Sequence, residues 1–406
     1  MKAWVLHGIK DLRFEDVEMP LLEPDMVRVR VKTVGICGSD IPRIFETGAH
    51  KMPLICGHEF AGIVESGGKW NGKRVGVFPL IPCMKCSMCR DKHYEMCRDY
   101  DYIGSRRNGA FAEYVNVPEW NLIEINDSVS FEQAAMMEPM AVAVHAMRRA
   151  LFSNYGDNVP ESMNIVPASM DIVQESVGMV QESMDIVQED IVQESRDIVQ
   201  ESMNGDLIVR TASEMRDKSV AVIGLGTIGM LLAMFLWDAG YRNLLLIGNK
   251  DFQRQLLMEA GIPDACFCNS RTADAKDWLR DRTDGEGADI FFECVGKNET
   301  ASFAVENASS SGKVMLVGNP HDERMTLERD VYWGILRKQL TVYGTWNSSF
   351  RHEDDDDWNY VIDRLASGTL HPERLITHRL NIGELKTGLD IMHEKKENYC
   401  KVMMEI

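Results

Sequence analysis

Four of the chain's ten cysteines crowd into one stretch, Cys83-Met84-Lys85-Cys86-Ser87-Met88-Cys89 and, a little further on, Cys97. Thiolates are soft ligands, and four of them in so short a loop can close a tetrahedral shell around one ion. A closed shell leaves no position for a substrate. The expected ion is therefore a structural zinc that holds a lobe with little apolar core of its own; an iron–sulfur site or free thiols are the alternatives. A second set is scattered: Cys37 in Gly35-Ile36-Cys37-Gly38-Ser39-Asp40, His58 and Glu59 in Gly57-His58-Glu59-Phe60, and Glu138 in Met137-Glu138-Pro139. Thiolate, imidazole and carboxylate together suit a zinc that keeps an open position for chemistry. Singly each residue has an ordinary reading, the cysteine as core and the histidine as a hydrogen-bonded structural residue. The glycines beside the first two motifs permit the tight backbone that a ligand cluster needs.

A third constellation is Gly224-Leu225-Gly226-Thr227-Ile228-Gly229, preceded by the apolar run Val220-Ala221-Val222-Ile223 and opening a helical segment. That context makes it a dinucleotide fingerprint, in which backbone amides and a helix N-terminus approach a pyrophosphate. At the end of the second apolar run, where an NAD site offers Asp or Glu to the ribose, the chain has Gly248-Asn249-Lys250. Losing the acid and gaining a cation tilts the cofactor from NAD toward NADP. Lys250 as a solvated surface lysine is the other reading.

These residues need elements to position them. Val27, Val29 and Val31 alternate with Arg28, Arg30 and Lys32, the period of a half-exposed antiparallel strand, and the first ~120 residues read as β-rich. From about Lys218 the texture becomes continuous apolar runs separated by helical segments: 220–223, 244–247, 290–292 and 314–317. Such runs suit parallel strands covered on both faces by crossover helices. The helix from Thr227 to a stop at Gly240 reads as packed on that sheet. The acids Asp354 to Asp357 precede an apolar-periodic segment ending near Gly368 and are expected to sit, solvated, at a helix N-terminus.

The length, 406 residues, exceeds what one core usually supports and implies two domains. Residues 163–203 repeat a seven-residue unit of the type Met170-Asp171-Ile172-Val173-Gln174-Glu175-Ser176. One-residue deletions break its heptad register, so disorder or a loosely helical excursion is favoured over a coiled coil. Residues 161–204 hold ten acids and one base, Arg196, and so carry −9 of the chain's net charge of −19. A negative balance is the wrong sign for neutralising nucleic-acid phosphates or anionic lipid. No stretch approaches the roughly 18 apolar residues of a membrane span, and the N-terminus lacks the apolar core of a signal peptide. The reading is a cytoplasmic protein with neither nucleic-acid nor membrane partners.

Together the motifs resemble the zinc-dependent medium-chain dehydrogenase/reductase family, and within it the polyol branch. The resemblance spans nearly the whole chain except about 151–212. It rests on Cys37-Gly38-Ser39-Asp40, Gly57-His58-Glu59, the four-cysteine loop, Glu138-Pro139, the glycine fingerprint and Ile335-Leu336-Arg337-Lys338-Gln339-Leu340-Thr341-Val342 followed by Gly344-Thr345-Trp346. It implies an α/β architecture, with a GroES-like β-rich catalytic domain (1–150 and 347–406), a Rossmann doubly wound cofactor domain (213–346) and a repeat-containing insertion (151–212). It implies one catalytic and one structural Zn2+, NAD or NADP, and a homo-oligomer. Cys37, His58 and Glu138 or Glu59 would hold the catalytic ion, the two glutamates exchanging as the ion shifts. Ser39 would relay the hydroxyl proton and Asp40 would orient His58. The substrate would be a polyol or polyol phosphate oxidised at a secondary alcohol. Arg106 and Arg107 lie in a segment that, in this family, returns toward the substrate cleft, where guanidinium forks could bind phosphate; two solvated arginines in a turn is the plain alternative. An unphosphorylated polyol as substrate, or a catalytically silent dinucleotide-binding protein, stand as other functions. The presence of Cys37, His58, Glu59 and Glu138 together favours the enzyme.

Overall fold

The computed structural model describes residues 1–66, 68–151 and 216–406. The repeats, and nearly all of the span read as an insertion, lie outside the described residues. In chain order the first strands are β1 (Lys2–Gly8), β2 (Asp11–Asp16), β3 (Met26–Gly35), β4 (Leu54–Ile55), β5 (Glu59–Ser66), β6 (Arg74–Val77), β7 (Leu80–Ile81), β8 (Asp101–Tyr102), β9 (Tyr114–Pro118) and β10 (Leu122–Glu124). Next come β11 (Val220–Ile223), β12 (Leu244–Gly248), β13 (Phe267–Asn269), β14 (Ala288–Glu293), β15 (Ala308–Leu316) and β16 (Thr341–Gly344); β17 (Ile376–Asn381) and β18 (Lys401–Glu405) close the chain.

β3 alternates as its sequence requires, with Val27, Val29 and Val31 fully buried and Arg28, Arg30 and Lys32 half-exposed. It pairs antiparallel with β5, β9 and β18, so the last strand of the chain returns to the sheet that carries Cys37 and Glu59. The later sheet has the order β13-β12-β11-β14-β15-β16 with every pairing parallel, a doubly wound arrangement whose order reverses beside β11. Ligand crevices in such sheets open at the carboxyl ends of the strands, where Gly224 and Gly248 stand. β15 starts at Ala308, six residues before its apolar core, because Ser309-Ser310-Ser311-Gly312 continues the strand without an apolar signal.

The helix Thr227–Asp238 is buried from Gly229 to Leu236 and ends before Gly240, whose φ is +90°. It packs on the helix Met137–Leu151, itself buried over most of its length. One apolar cluster runs from Met137, Met140 and Met147 through Val220 and Leu231 to Trp358, joining the two lobes.

The acidic run departs from expectation. Asp354 is exposed, but Asp356 and Asp357 are buried. Asp356 caps the helix Asp357–Ala366, its side chain accepting from Asn359 N at 2.8 Å. Asp357 accepts from Ser349 N at 2.7 Å and lies 2.9 Å from His145 Nδ1 and 3.3 Å from Arg148 Nη1. His145 and Arg148 sit one turn apart on the Met137–Leu151 helix, so this carboxylate ties two elements together where a solvated acid was expected.

Candidate metal centres and cofactor cleft

In the cysteine lobe the Sγ–Sγ separations are 3.5 Å for Cys86–Cys89, 3.9 Å for Cys83–Cys89 and 4.0 Å for Cys86–Cys97. Zinc–sulfur bonds of about 2.3 Å in a tetrahedron require sulfurs about 3.8 Å apart. The spacing fits the ion. Backbone amides of Arg98 and Cys89 pull the Cys86 thiol down to about 6, favouring the thiolate that binds metal.

Ligand atoms of Cys37, His58 and Glu59 lie within 4.8 Å of one another, with His58 and Glu59 buried. Cys37 follows the end of β3, and His58 and Glu59 stand at the start of β5, its antiparallel neighbour, where Gly35 faces Glu59. Burial, then the charges of Glu59, Asp40 and Glu138, push the Cys37 thiol well above its ordinary value. His58 Nδ1 is buried without a hydrogen-bond partner. A buried thiol crowded by carboxylates next to an imidazole fits a divalent cation and is costly without one. Ser39 donates its hydroxyl to Cys37 Sγ at 3.3 Å. Asp40, fully buried, accepts from Cys37 N at 3.1 Å and from Arg43 Nη1 at 2.5 Å, and stands 3.8 Å from His58 Nδ1, beyond hydrogen-bond reach.

Glu138, the second residue of its helix, enters the same buried space but takes a hydrogen bond from Tyr102 Oη at 3.2 Å. Burial raises its carboxyl to about 7 against the pull of His58. The sequence reading missed two residues here. Tyr102 packs edge-on to His58, with ring centroids 5.7 Å apart. Lys401, 1% exposed, pairs with Glu59 and donates to Ile36 O at 3.1 Å. A lone lysine in the otherwise apolar run Cys400-Lys401-Val402-Met403-Met404 was the available signal.

At the fingerprint, Gly224 has φ +95° and a Cβ on Gly229 would lie 2.0 Å from Gly224 O, so the turn and the helix start close on each other as only glycine allows. Gly226 caps the helix, with Thr227 and Ile228 in its first turn; Thr227 Oγ1 donates to Cys400 O in the other lobe at 2.8 Å. A Cβ on Gly248 would meet Gln253 Oε1 at 2.5 Å and the Phe267 ring at 2.8 Å. The same Gln253 oxygen accepts from Asn249 N and Lys250 N at 2.9 and 3.1 Å. The missing ribose acid is thus built into the packing. Lys250 Nζ stands over the rings of Phe252 and Tyr399. This crevice of glycine-lined backbone amides fits a dinucleotide pyrophosphate.

Arg106 and Arg107 part company. Arg107 Nε bonds Asp101 at 2.8 Å. Arg106 stacks on Tyr100 and, with His50, Lys51, Asp99 and Asp101, lines a cavity of about 420 Å³.

Residues 23–127 match the alcohol dehydrogenase GroES-like domain and residues 226–367 the zinc-binding dehydrogenase family. The chain belongs to the zinc-dependent medium-chain dehydrogenases. It is 28% identical to galactitol 1-phosphate 5-dehydrogenase of Escherichia coli K12 over 90% of this chain and 88% of that protein. It is 29% identical to L-idonate 5-dehydrogenase of Vitis vinifera over 95% and 88% of the two chains. The crystal structure of galactitol-1-phosphate dehydrogenase from Escherichia coli superposes with a TM-score of 0.78 at 26% identity, covering both chains entirely. The chain is thus an oxidoreductase acting on a small molecule with zinc and a nicotinamide cofactor. Its architecture is the expected GroES-like lobe plus Rossmann lobe. No helix among the described residues is long and apolar enough to cross a membrane.

Proposed function

We propose that this dehydrogenase oxidises a secondary alcohol of a polyol phosphate, such as galactitol 1-phosphate, to the ketose phosphate, with NADP as acceptor. The observation that carries the substrate class is the cavity bearing Lys51, His50 and Arg106, where Asp101 is taken by Arg107 and Asp99 is the remaining acid. Its wall residue Tyr100 packs edge-on against Tyr102 at 6.3 Å, and Tyr102 packs against His58. A phosphate in that cavity would leave the polyol carbons reaching toward the cysteine–histidine cluster. Arg106, held by Tyr100 O at 3.1 Å, presents a pre-set fork, whereas Arg107 is neutralised by Asp101.

Cys37 and His58, with Glu59 or Glu138, would hold the catalytic zinc, and Cys83, Cys86, Cys89 and Cys97 the structural one. Bound there, zinc supplies Lewis acidity that lowers a hydroxyl pKa, and the dinucleotide supplies the hydride acceptor. Ser39 would take up the substrate's hydroxyl proton as it releases its own to solvent. Asp40 steadies His58 across 3.8 Å, and Lys401 holds Glu59 in place. Residues 1–150 and 347–406 form the catalytic lobe, 213–346 the cofactor lobe and 151–212 an insertion between them. The chain also pairs with a second copy through β16: among the described residues no strand pairs with its outer edge, and Tyr332, Trp333 and Leu336 on the preceding helix Arg329–Arg337 are 57%, 56% and 51% exposed. Sedimentation of the Trp333→Asp variant should show a smaller species than the parent; identical profiles would refute that pairing.

Cofactor reduction on galactitol 1-phosphate and on galactitol tests the substrate. Arg106→Ala should raise the Michaelis constant for the phosphate ester about tenfold or more and leave the free polyol nearly unchanged. Equal activity of the parent enzyme on both would assign an unphosphorylated polyol instead.

A further inference from the structure

The chain carries an excess of acids, yet three cations without a carboxylate partner among the described residues converge beyond the end of β12. Lys250 follows that strand. Arg271 follows β13, which pairs with β12 in register Gly248↔Asn269, and Ser270 N donates to Gly248 O at 2.8 Å, so position 271 is held beside the 248–250 turn. Lys395 comes from the other lobe, at the left-handed residue that ends the helix Leu385–Glu394, four residues before the Tyr399 ring over which Lys250 Nζ stands at 5.9 Å. The carboxylates nearby are taken: Asp251 by Asn269 Nδ2 at 2.9 Å, Glu394 by Lys396 at 2.6 Å, and Glu397 faces His378 at 3.7 Å. Burial and then the charges of Arg271 and Lys395 hold the Lys250 ammonium below its ordinary value, a repulsion that an anion at this place would relieve.

The geometry points to Arg271 and Lys395 as specificity determinants that, with Lys250, seat the 2′-phosphate of NADP, Lys395 reaching it from the catalytic lobe. This rests on the NADP reading above and extends it. A phosphate dianion gathers charge-assisted hydrogen bonds from all three cations, while the adenosine 2′-hydroxyl of NAD offers them nothing of comparable strength. The packing that excludes a side chain at Gly248 removes the acid that would repel the phosphate.

Calorimetric titration of the full-length protein with 2′,5′-ADP and with 5′-AMP tests the assignment without turnover. The parent should bind 2′,5′-ADP more tightly, and Arg271→Ala and Lys395→Ala should each weaken it about tenfold while leaving 5′-AMP unchanged. Lys395→Arg should keep the parent's affinity. If Lys250→Ala loses 2′,5′-ADP but Arg271→Ala and Lys395→Ala do not, this inference fails and the NADP reading stands. If the parent binds both ligands equally, the NADP reading fails and takes this inference with it. Parallel losses on both ligands in Arg271→Ala or Lys395→Ala would make those residues supports of the cleft and overturn their role in reading phosphate.

Discussion

Lys401 decides what Glu59 can do. Burial disfavours its ammonium, but Glu59 keeps it charged above its ordinary value, and the pair is sealed from solvent on both sides. Removing one member of such a pair strands the other as a buried charge. Lys401→Met should therefore lose about 3–5 kcal/mol of stability in denaturant unfolding, and adding Glu59→Gln should recover much of it; a loss under 1 kcal/mol would show that the pair is solvated. Cys37, His58 and Glu59 were legible because each stands in a short glycine-flanked motif. Lys401 was not, since its partner is 342 residues away in sequence and the β3–β18 and β3–β5 pairings together bring them into contact. The same holds for Tyr102, which meets Glu138 from a two-residue strand.

Elements were legible where one physical signal dominated. The runs 220–223 and 244–247 appear as β11 and β12 nearly to the residue because strands buried on both faces must be apolar throughout. The acidic run misled because sequence shows charge and not the His145 and Arg148 that await it on another helix. Its burial has a measurable consequence at Asp356, whose carboxyl is raised to about 6 by desolvation against the pull of the Asn359 and Arg351 amides. The folded state then binds the proton more tightly than the unfolded state, so this group's contribution to stability falls as pH rises from about 4 to about 6, by about 3 kcal/mol in all. Asn caps helices as well as Asp. Asp356→Asn should thus gain melting temperature relative to the parent between pH 4 and pH 7, and a constant offset would mean that Asp356 ionises normally. In the cysteine lobe the short helix Ser87–Arg90 offers Cys89 as its one buried residue, so the ion must supply much of the cohesion. Cys89→Ser should reduce zinc from two to about one per chain and lower the melting temperature; unchanged zinc and melting would refute the structural role.

At the scale of the molecule, the glycine fingerprint and the cysteine–histidine cluster stand on different lobes, joined by the buried helix Met137–Leu151, the Thr227–Cys400 hydrogen bond and the cluster running to Trp358. Two lobes and their motifs could be read in advance, since each motif is local. Their docking could not, because it depends on which faces of buried helices meet. The polyol dehydrogenase reading requires both lobes to act on one substrate molecule. The direct measurement is the zinc-loaded full-length chain assayed for NADP reduction on polyols and polyol phosphates, beside His58→Ala with its 2′,5′-ADP affinity determined in parallel. Reduction by the parent, with turnover abolished and dinucleotide affinity kept in His58→Ala, is the predicted result. Comparable turnover in His58→Ala would contradict the account.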